Sequence, residues 1–206
     1  MLLSAIYDIS PFTLLDYPDR TACIIWMSGC NMRCPYCYNP DIVRSQGRIA
    51  EEEVRTFLSS RAGKLDGVVF SGGECTLHPS LLKDLLSHAK SNGYQTKVDT
   101  NGSRPKILEE LIEKQLIDYV AMDFKAPEYL SSTITGNKKS FDRFRESLSF
   151  LNRASIPFEV RTTVHQGLLQ ASDLQEMAQV LQQCKYHHTW YLQSFLQTNH
   201  CLTELE

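Results

Sequence analysis

No stretch of the sequence approaches the ~20 consecutive apolar residues that a bilayer-spanning helix needs. Basic charge is also in short supply: 21 Lys and Arg stand against 24 Asp and Glu, a formal net charge of −3. Such a chain offers no positive field for phosphate backbones or anionic membranes, so neither nucleic acid nor a membrane is expected as a partner. The first residues, Met1–Ser10, lack a basic n-region and carry Asp8, which does not read as a secretory signal. A cytoplasmic protein is expected. Internal repeats, low-complexity tracts and linker-like segments are missing as well. The 206 residues therefore suggest one domain spanning 1–206, with a core at about 18–196 and short N-terminal and C-terminal extensions.

Cysteine, by contrast, is plentiful. Seven thiols in a reducing compartment, and an odd number, argue against a disulfide framework. Cys30, Cys34 and Cys37 fall within one short segment. Cys23, Cys75, Cys184 and Cys201 are scattered, as buried or incidental thiols are.

Short β-branched runs alternate with helical-period segments. Strands are expected at 21–27, 68–70, 96–98, 119–122, 158–163 and 190–192. Helices are expected at 51–61, 81–90, 107–116, 141–151 and 172–182, the last opening with a Ser172-x-x-Gln175 capping box. The pattern implies an α/β fold with a mainly parallel sheet. Six units are too few for a closed eightfold barrel but suit a partial (βα)6 barrel, with a doubly wound sheet as the competitor. Directly after successive strands come Cys30, Glu74, Asp99, Asp123 with Lys125, Arg161 with Thr163, and Gln193. Barrel-like folds build their sites at the carboxyl ends of the strands, which favours the partial barrel.

The segment Ser28-Gly29-Cys30-Asn31-Met32-Arg33-Cys34-Pro35-Tyr36-Cys37 has the spacing C-x3-C-x2-C. Thiolates ligate iron–sulfur clusters and zinc alike. A closed structural zinc site would need a fourth ligand, for which His78 and His165 are candidates at atypical spacing. Three cysteines can instead hold three corners of a cubane and leave one iron open.

With Tyr36 as the aromatic residue, this segment resembles the C-x3-C-x-aromatic-C signature of radical S-adenosylmethionine (SAM) enzymes. The likeness continues in Ser71-Gly72-Gly73-Glu74, similar to that family's GGE motif. The resemblance implies a partial barrel and a [4Fe–4S] cluster on Cys30, Cys34 and Cys37. The open iron would chelate the methionine moiety of SAM, and Tyr36 would lie against the adenine. Gly72 and Gly73 would let backbone approach the ligand, and Glu74 would balance the methionine ammonium.

Further segments, Leu15-Asp16-Tyr17-Pro18, Asp99-Thr100-Asn101-Gly102, 118–127, Thr135-Gly136 and Arg161-Thr162-Thr163-Val164, resemble the activating enzymes of glycyl-radical enzymes. They are most similar to the short anaerobic ribonucleoside-triphosphate reductase activating proteins. Asp99 and Asp123 would then face the SAM ribose or carboxylate, with a monovalent cation between them. Lys125 would reach SAM, with a purely structural Asp123–Lys125 ion pair as the alternative. Arg161 would pair with a carboxylate of SAM or of Asp123. Cys75 stands where relatives usually have proline, and reads either as a hydrogen-atom donor or as a small residue tolerated in a turn. No second C-x2-C run is present, so one cluster and an external one-electron donor such as flavodoxin or ferredoxin are implied. His187 and His188 are expected at the surface, and Cys201 receives no role.

The implied reaction is reductive cleavage of SAM to a 5′-deoxyadenosyl radical. That radical would take hydrogen from a glycine of a partner, anaerobic ribonucleotide reductase by the resemblance, through an open barrel mouth. The competing enzyme reading is a radical SAM catalyst acting on a small molecule, like the 7-carboxy-7-deazaguanine synthases. A zinc- or cluster-bearing binding module is the non-enzymatic alternative.

Overall fold

A computed structural model describes residues 4–198 and 200–203. The outermost residues of both expected extensions lie outside them. Seven strands are β1 (Ile6–Thr13), β2 (Ala22–Met27), β3 (Gly67–Gly72), β4 (Gln95–Thr100), β5 (Tyr119–Asp123), β6 (Phe158–Val164) and β7 (Trp190–Ser194). They form one sheet in strictly sequential order, β1 pairing antiparallel and all later pairs parallel. A doubly wound sheet reverses its order at a switch point. The unbroken order belongs instead to the partial barrel, whose edges here are β1 and β7.

The helices are α1 (Pro40–Arg44), α2 (Glu51–Arg61), α3 (Pro79–Ser91), α4 (Pro105–Glu113), α5 (Glu128–Thr135), α6 (Ser140–Leu151) and α7 (Ala171–Gln183). Strand alternation sorts the core into two faces. Cys23, Ile25 and Met27 of β2, Val68 and Phe70 of β3, and Val120 and Met122 of β5 join the main core. Onto it pack Leu82, Leu85 and Leu86 of α3, Leu108 and Leu111 of α4, and Leu148 and Leu151 of α6. The opposite parity faces inward. There a small apolar group of Tyr17, Ala22, Ile24 and Val69 gives way, across β4 to β6, to charged side chains.

Three elements depart from the expectation. β1 adds a seventh strand: Pro11 and its mixed, half-exposed pattern hide it, and proline is tolerated because the strand is an edge. α1 has only five residues, too few for a periodic signal. α5 carries Ser131, Ser132, Thr133 and Thr135, poor helix formers that tertiary contacts hold in place, with Gly136 in the left-handed region at φ 69° ending it. The capping of α7 is also corrected. The helix starts one residue earlier, and the Asp173 carboxylate accepts the Gln170 N–H at 2.7 Å, in place of the Ser172-x-x-Gln175 box. Among the described residues no helix is long and apolar enough to cross a membrane.

Candidate active site

A cavity of about 320 Å³ opens at the carboxyl ends of the strands, within the size range of small-molecule sites. Cys30, Cys34, Tyr36 and Cys37 form one wall; Gly72 and Gly73 line it at the end of β3, and Asp99, Asp123, Lys125 and Arg161 stand across from the thiols.

The cysteine wall is an irregular loop whose backbone groups are nevertheless satisfied. Gly29 N–H donates to Ile42 O at 2.8 Å, and Gly29 O accepts from Glu74 N–H at 2.9 Å. His78 Nε2 is 2.8 Å from Ser28 O. The Arg33 guanidinium donates to Cys30 O at 2.6 Å and Met32 O at 2.8 Å, while Arg33 N–H reaches Thr135 O at the end of α5. The C-terminal segment returns to the same loop. Leu202 N–H donates to Cys37 O at 3.1 Å, and Phe195 stacks on Tyr38 with ring centres 5.3 Å apart.

All three thiols are free. Burial, then the charge of Glu74, pushes the Cys30 thiol up to about 12, and burial raises Cys34 as well. Both hold their protons at neutral pH until a metal displaces them. Met32 N–H lies 3.3 Å and Asn101 Nδ2 3.9 Å from the Cys30 sulfur, donors that suit a sulfur carrying negative charge. Among the described residues no three His, Cys, Asp or Glu side chains converge on one point fit for a single ion. Three thiols on one cavity wall, with no fourth Cys or His among the described residues beside them on it, fit a [4Fe–4S] cluster with one open corner better than a closed tetrahedral zinc site. His78 and His165 are not on the cavity wall; His165 accepts the Gly167 N–H and packs against Phe195.

Tyr36 is buried beside the thiols, and its hydroxyl has no hydrogen-bond partner. Its ring centre is 5.9 Å from the Lys125 ammonium. Opposite, Lys125 Nζ bonds Asp123 Oδ2 at 3.0 Å, the expected ion pair. Arg161 bridges two carboxylates, with Nε 3.4 Å from Asp123 Oδ1 and Nη2 3.6 Å from Asp99 Oδ2. The Nε contact is an ion pair without hydrogen-bond geometry. Burial alone would raise the Asp123 carboxyl, but Lys125 and Arg161 outweigh it and hold the group below its ordinary range. Burial would lower Lys125 and Arg161, and their carboxylate partners instead raise both.

Glu74 departs from its expected place. It is buried behind the wall: Oε1 accepts from Thr76 N–H at 3.2 Å, Thr76 Oγ1 at 2.5 Å and Thr100 Oγ1 at 2.8 Å, and Oε2 from Asn101 N–H at 2.7 Å. A carboxylate so engaged braces the ends of β3 and β4 and does not face a ligand's ammonium. The reason for the two glycines also shifts. A Cβ on Gly72 would strike Met27 O, and one on Gly73 would strike Gly29 O, so the close approach is that of the chain's own cysteine loop. Cys75 is fully buried, its sulfur 3.5 Å from Asp99 O, a packed thiol off the cavity wall.

The expectation for Gly73→Ala follows. The added methyl should push the cysteine loop away and destabilise the protein by about 1–3 kcal/mol. Urea denaturation and iron content after reconstitution measure both effects. Unchanged values would contradict the contact.

Three contributors escaped the sequence reading: Lys97, Glu159 and the C-terminal return to the loop; Asn101 stood in a quoted segment but without a role. Lys97 and Glu159 each stand two residues before a cavity residue on the same strand, so period-two alternation was a usable signal. The loop return has no such signal.

The family profile described as the Radical SAM superfamily matches residues 24–181. A putative glycyl-radical enzyme activating enzyme of Methanocaldococcus jannaschii is 31% identical over 189 residues, covering 89% of this chain and 76% of that protein. The pyruvate formate-lyase-activating enzyme of Clostridium pasteurianum is 35% identical over 159 residues, 72% of this chain and 64% of that one. Among solved structures, anSMEcpe with bound AdoMet aligns with a TM-score of 0.68 at 16% identity, over 85% of this chain and 53% of that one, a likeness of fold.

Proposed function

Since this chain belongs to the radical SAM superfamily, we propose that it reductively cleaves S-adenosylmethionine to install a glycyl radical on a partner protein. The observation that carries the reading is one cavity with three free thiols on one wall and the Asp123–Lys125–Arg161 group on the other. Cys30, Cys34 and Cys37 hold the cluster, and their number leaves one corner open to SAM. A cluster bound there supplies the single electron that breaks the carbon–sulfur bond. Lys125 and Arg161 offer positive charge to the methionine carboxylate, Asp99 and Asp123 accept from the ribose hydroxyls, and Tyr36 gives the adenine an aromatic neighbour. Gly72 and Gly73 keep the strand end low enough for the cysteine loop to stand over it.

The glycyl-radical assignment rests on the relatives, two of which are named for activating enzymes. The chain spans about three quarters and two thirds of their respective lengths, and the cavity mouth bears on the partner. The sheet is open between β1 and β7, and exposed Leu15 and Leu192 sit next in sequence to the cavity-lining Asp16 and Gln193. An apolar rim suits a protein loop better than a small polar substrate. The partner proposed is a glycyl-radical enzyme, anaerobic ribonucleotide reductase first, with flavodoxin or ferredoxin as electron donor.

Anaerobic co-expression with candidate glycyl-radical enzymes should yield a glycyl radical by EPR, and deuterium from a labelled partner glycine should appear in 5′-deoxyadenosine. Deuterium from a labelled small substrate instead would move the reaction to the small-molecule class. Stoichiometric zinc with no SAM cleavage under reductant would sink the enzyme reading.

A further inference from the structure

On the cavity wall and directly behind it, three cations and three carboxylates share the inward face of β4 to β6 and the end of β5. Lys97 is 1% exposed, and its Nζ bonds Asp99 Oδ1 at 2.5 Å. Asp99 Oδ2 accepts from Ser71 Oγ at 3.1 Å and faces Arg161 at 3.6 Å. Asp123 gives Oδ1 to Arg161 and Oδ2 to Lys125. Glu159 faces Arg161 at 3.9 Å and accepts from Tyr119 Oη at 2.9 Å. Every carboxylate oxygen of Asp99 and Asp123 thus looks at a protein cation or hydroxyl.

Two carboxylates at one site repel unless positive charge lies between them, and a bound alkali-metal ion is one way to provide it. Here the chain provides it. A buried ammonium without its counter-charge is costly, and Asp99 is the carboxylate that pairs with Lys97, whose Nζ also lies 5.9 Å from the centre of the Tyr119 ring. The Arg161 fork reaches both aspartates, as a guanidinium can and a point charge cannot. The monovalent cation that resemblance implies between Asp99 and Asp123 does not fit carboxylates whose charge is already neutralised, whereas their second lone pairs still accept from neutral hydroxyls.

We propose that Lys97 and Arg161 act as built-in cations that neutralise Asp99 and Asp123, so that SAM binds without an alkali-metal ion. Lys97 is a positioning residue, acting on the ligand through Asp99. The inference rests on the cavity being the SAM site, and its test separates the two.

SAM affinity of the reconstituted protein is measured in KCl, NaCl and tetramethylammonium chloride at equal ionic strength, the last cation being too large for a carboxylate cleft. The wild type should show the same affinity within twofold in all three. Lys97→Met should bind at least tenfold more weakly in tetramethylammonium and recover in KCl or NaCl, while Lys97→Arg should behave as the wild type. Apoprotein melts in the same salts give a readout without SAM. The wild type should be indifferent to the cation, and Lys97→Met should melt higher in KCl or NaCl by about 3 °C. A wild type that loses fivefold in affinity without K+ or Na+, or whose apoprotein is stabilised by them, overturns the proposal. So does a Lys97→Met protein indifferent to the cation in both assays. If Lys97→Met does not fold, the wild-type series alone decides. A cluster-loaded wild type that binds no SAM in any salt overturns the functional reading, while the melts still judge the lysine.

Discussion

Cys34→Ala protein, reconstituted anaerobically with iron and sulfide, is expected to lose the brown cluster chromophore and at least about a thousandfold in SAM cleavage, some 4 kcal/mol of barrier. Two corners remain where three are needed, and an electron source outside the cavity has no other route to the substrate. The loss should be chemical and not structural. Cys34 is buried but makes no disulfide, and the loop around it is held by backbone bonds to Thr135, Ile42 and Leu202 that the substitution leaves untouched. Apoprotein melting should therefore stay near that of the wild type. Cys184→Ala, a half-buried thiol off the cavity wall, should keep its iron and its activity. Retention of full chromophore by Cys34→Ala would remove the cysteine loop from the metal site.

The same loop shows how much the sequence discloses. Helices α2, α3 and α6 were legible because each carries an apolar stripe at helical period, and α2 also has three glutamates in its first turn. The convergence of Cys30, Asp99, Asp123, Lys125 and Arg161 was legible because parallel strands bring their carboxyl ends to one side. What local pattern does not encode is which way a side chain turns after the strand ends. Glu74 follows β3 at once and reads as a cavity acid, yet it turns inward because Thr76, Thr100 and Asn101 all present donors there. Lys97, given no role within the strand expected at 96–98, is fully buried, because its neighbour at i+2 is an aspartate on the same face. The edge strand β1 was missed for a related reason: most of its residues are only partly buried, and no alternation survives in Ile6–Thr13. Short-range period is readable; long-range complementarity of donors and charges has to be seen in the fold.

Glu74→Ala carries that distinction into an experiment. If the carboxylate is a brace, its removal orphans the Asn101 and Thr76 N–H groups and the two hydroxyls at the junction of β3 and β4. Hydrogen bonds to a charged group contribute about 1.5–3 kcal/mol each, and they do not add fully. A loss of about 3–5 kcal/mol is expected, lowering the apoprotein melting temperature by roughly 10 °C. Glu74→Gln should be intermediate, because its amide nitrogen must turn a donor toward one of those N–H groups. The pH dependence follows from burial, which raises the Glu74 carboxyl although its hydrogen bonds oppose the rise. A folded state that binds the proton more tightly than the unfolded chain loses stability as pH rises from the ordinary glutamate value through the raised native one. Above that window the cost of the buried charge is present in full. The wild type should show this fall as pH rises above the ordinary glutamate value, and Glu74→Ala should lack it. An apoprotein that melts normally as Glu74→Ala, but no longer binds SAM, would return the residue to the ligand. A fall in stability with no ligand present makes it the strut that fixes Asn101 beside Cys30, and so sets the geometry in which the cysteine loop meets the charged wall.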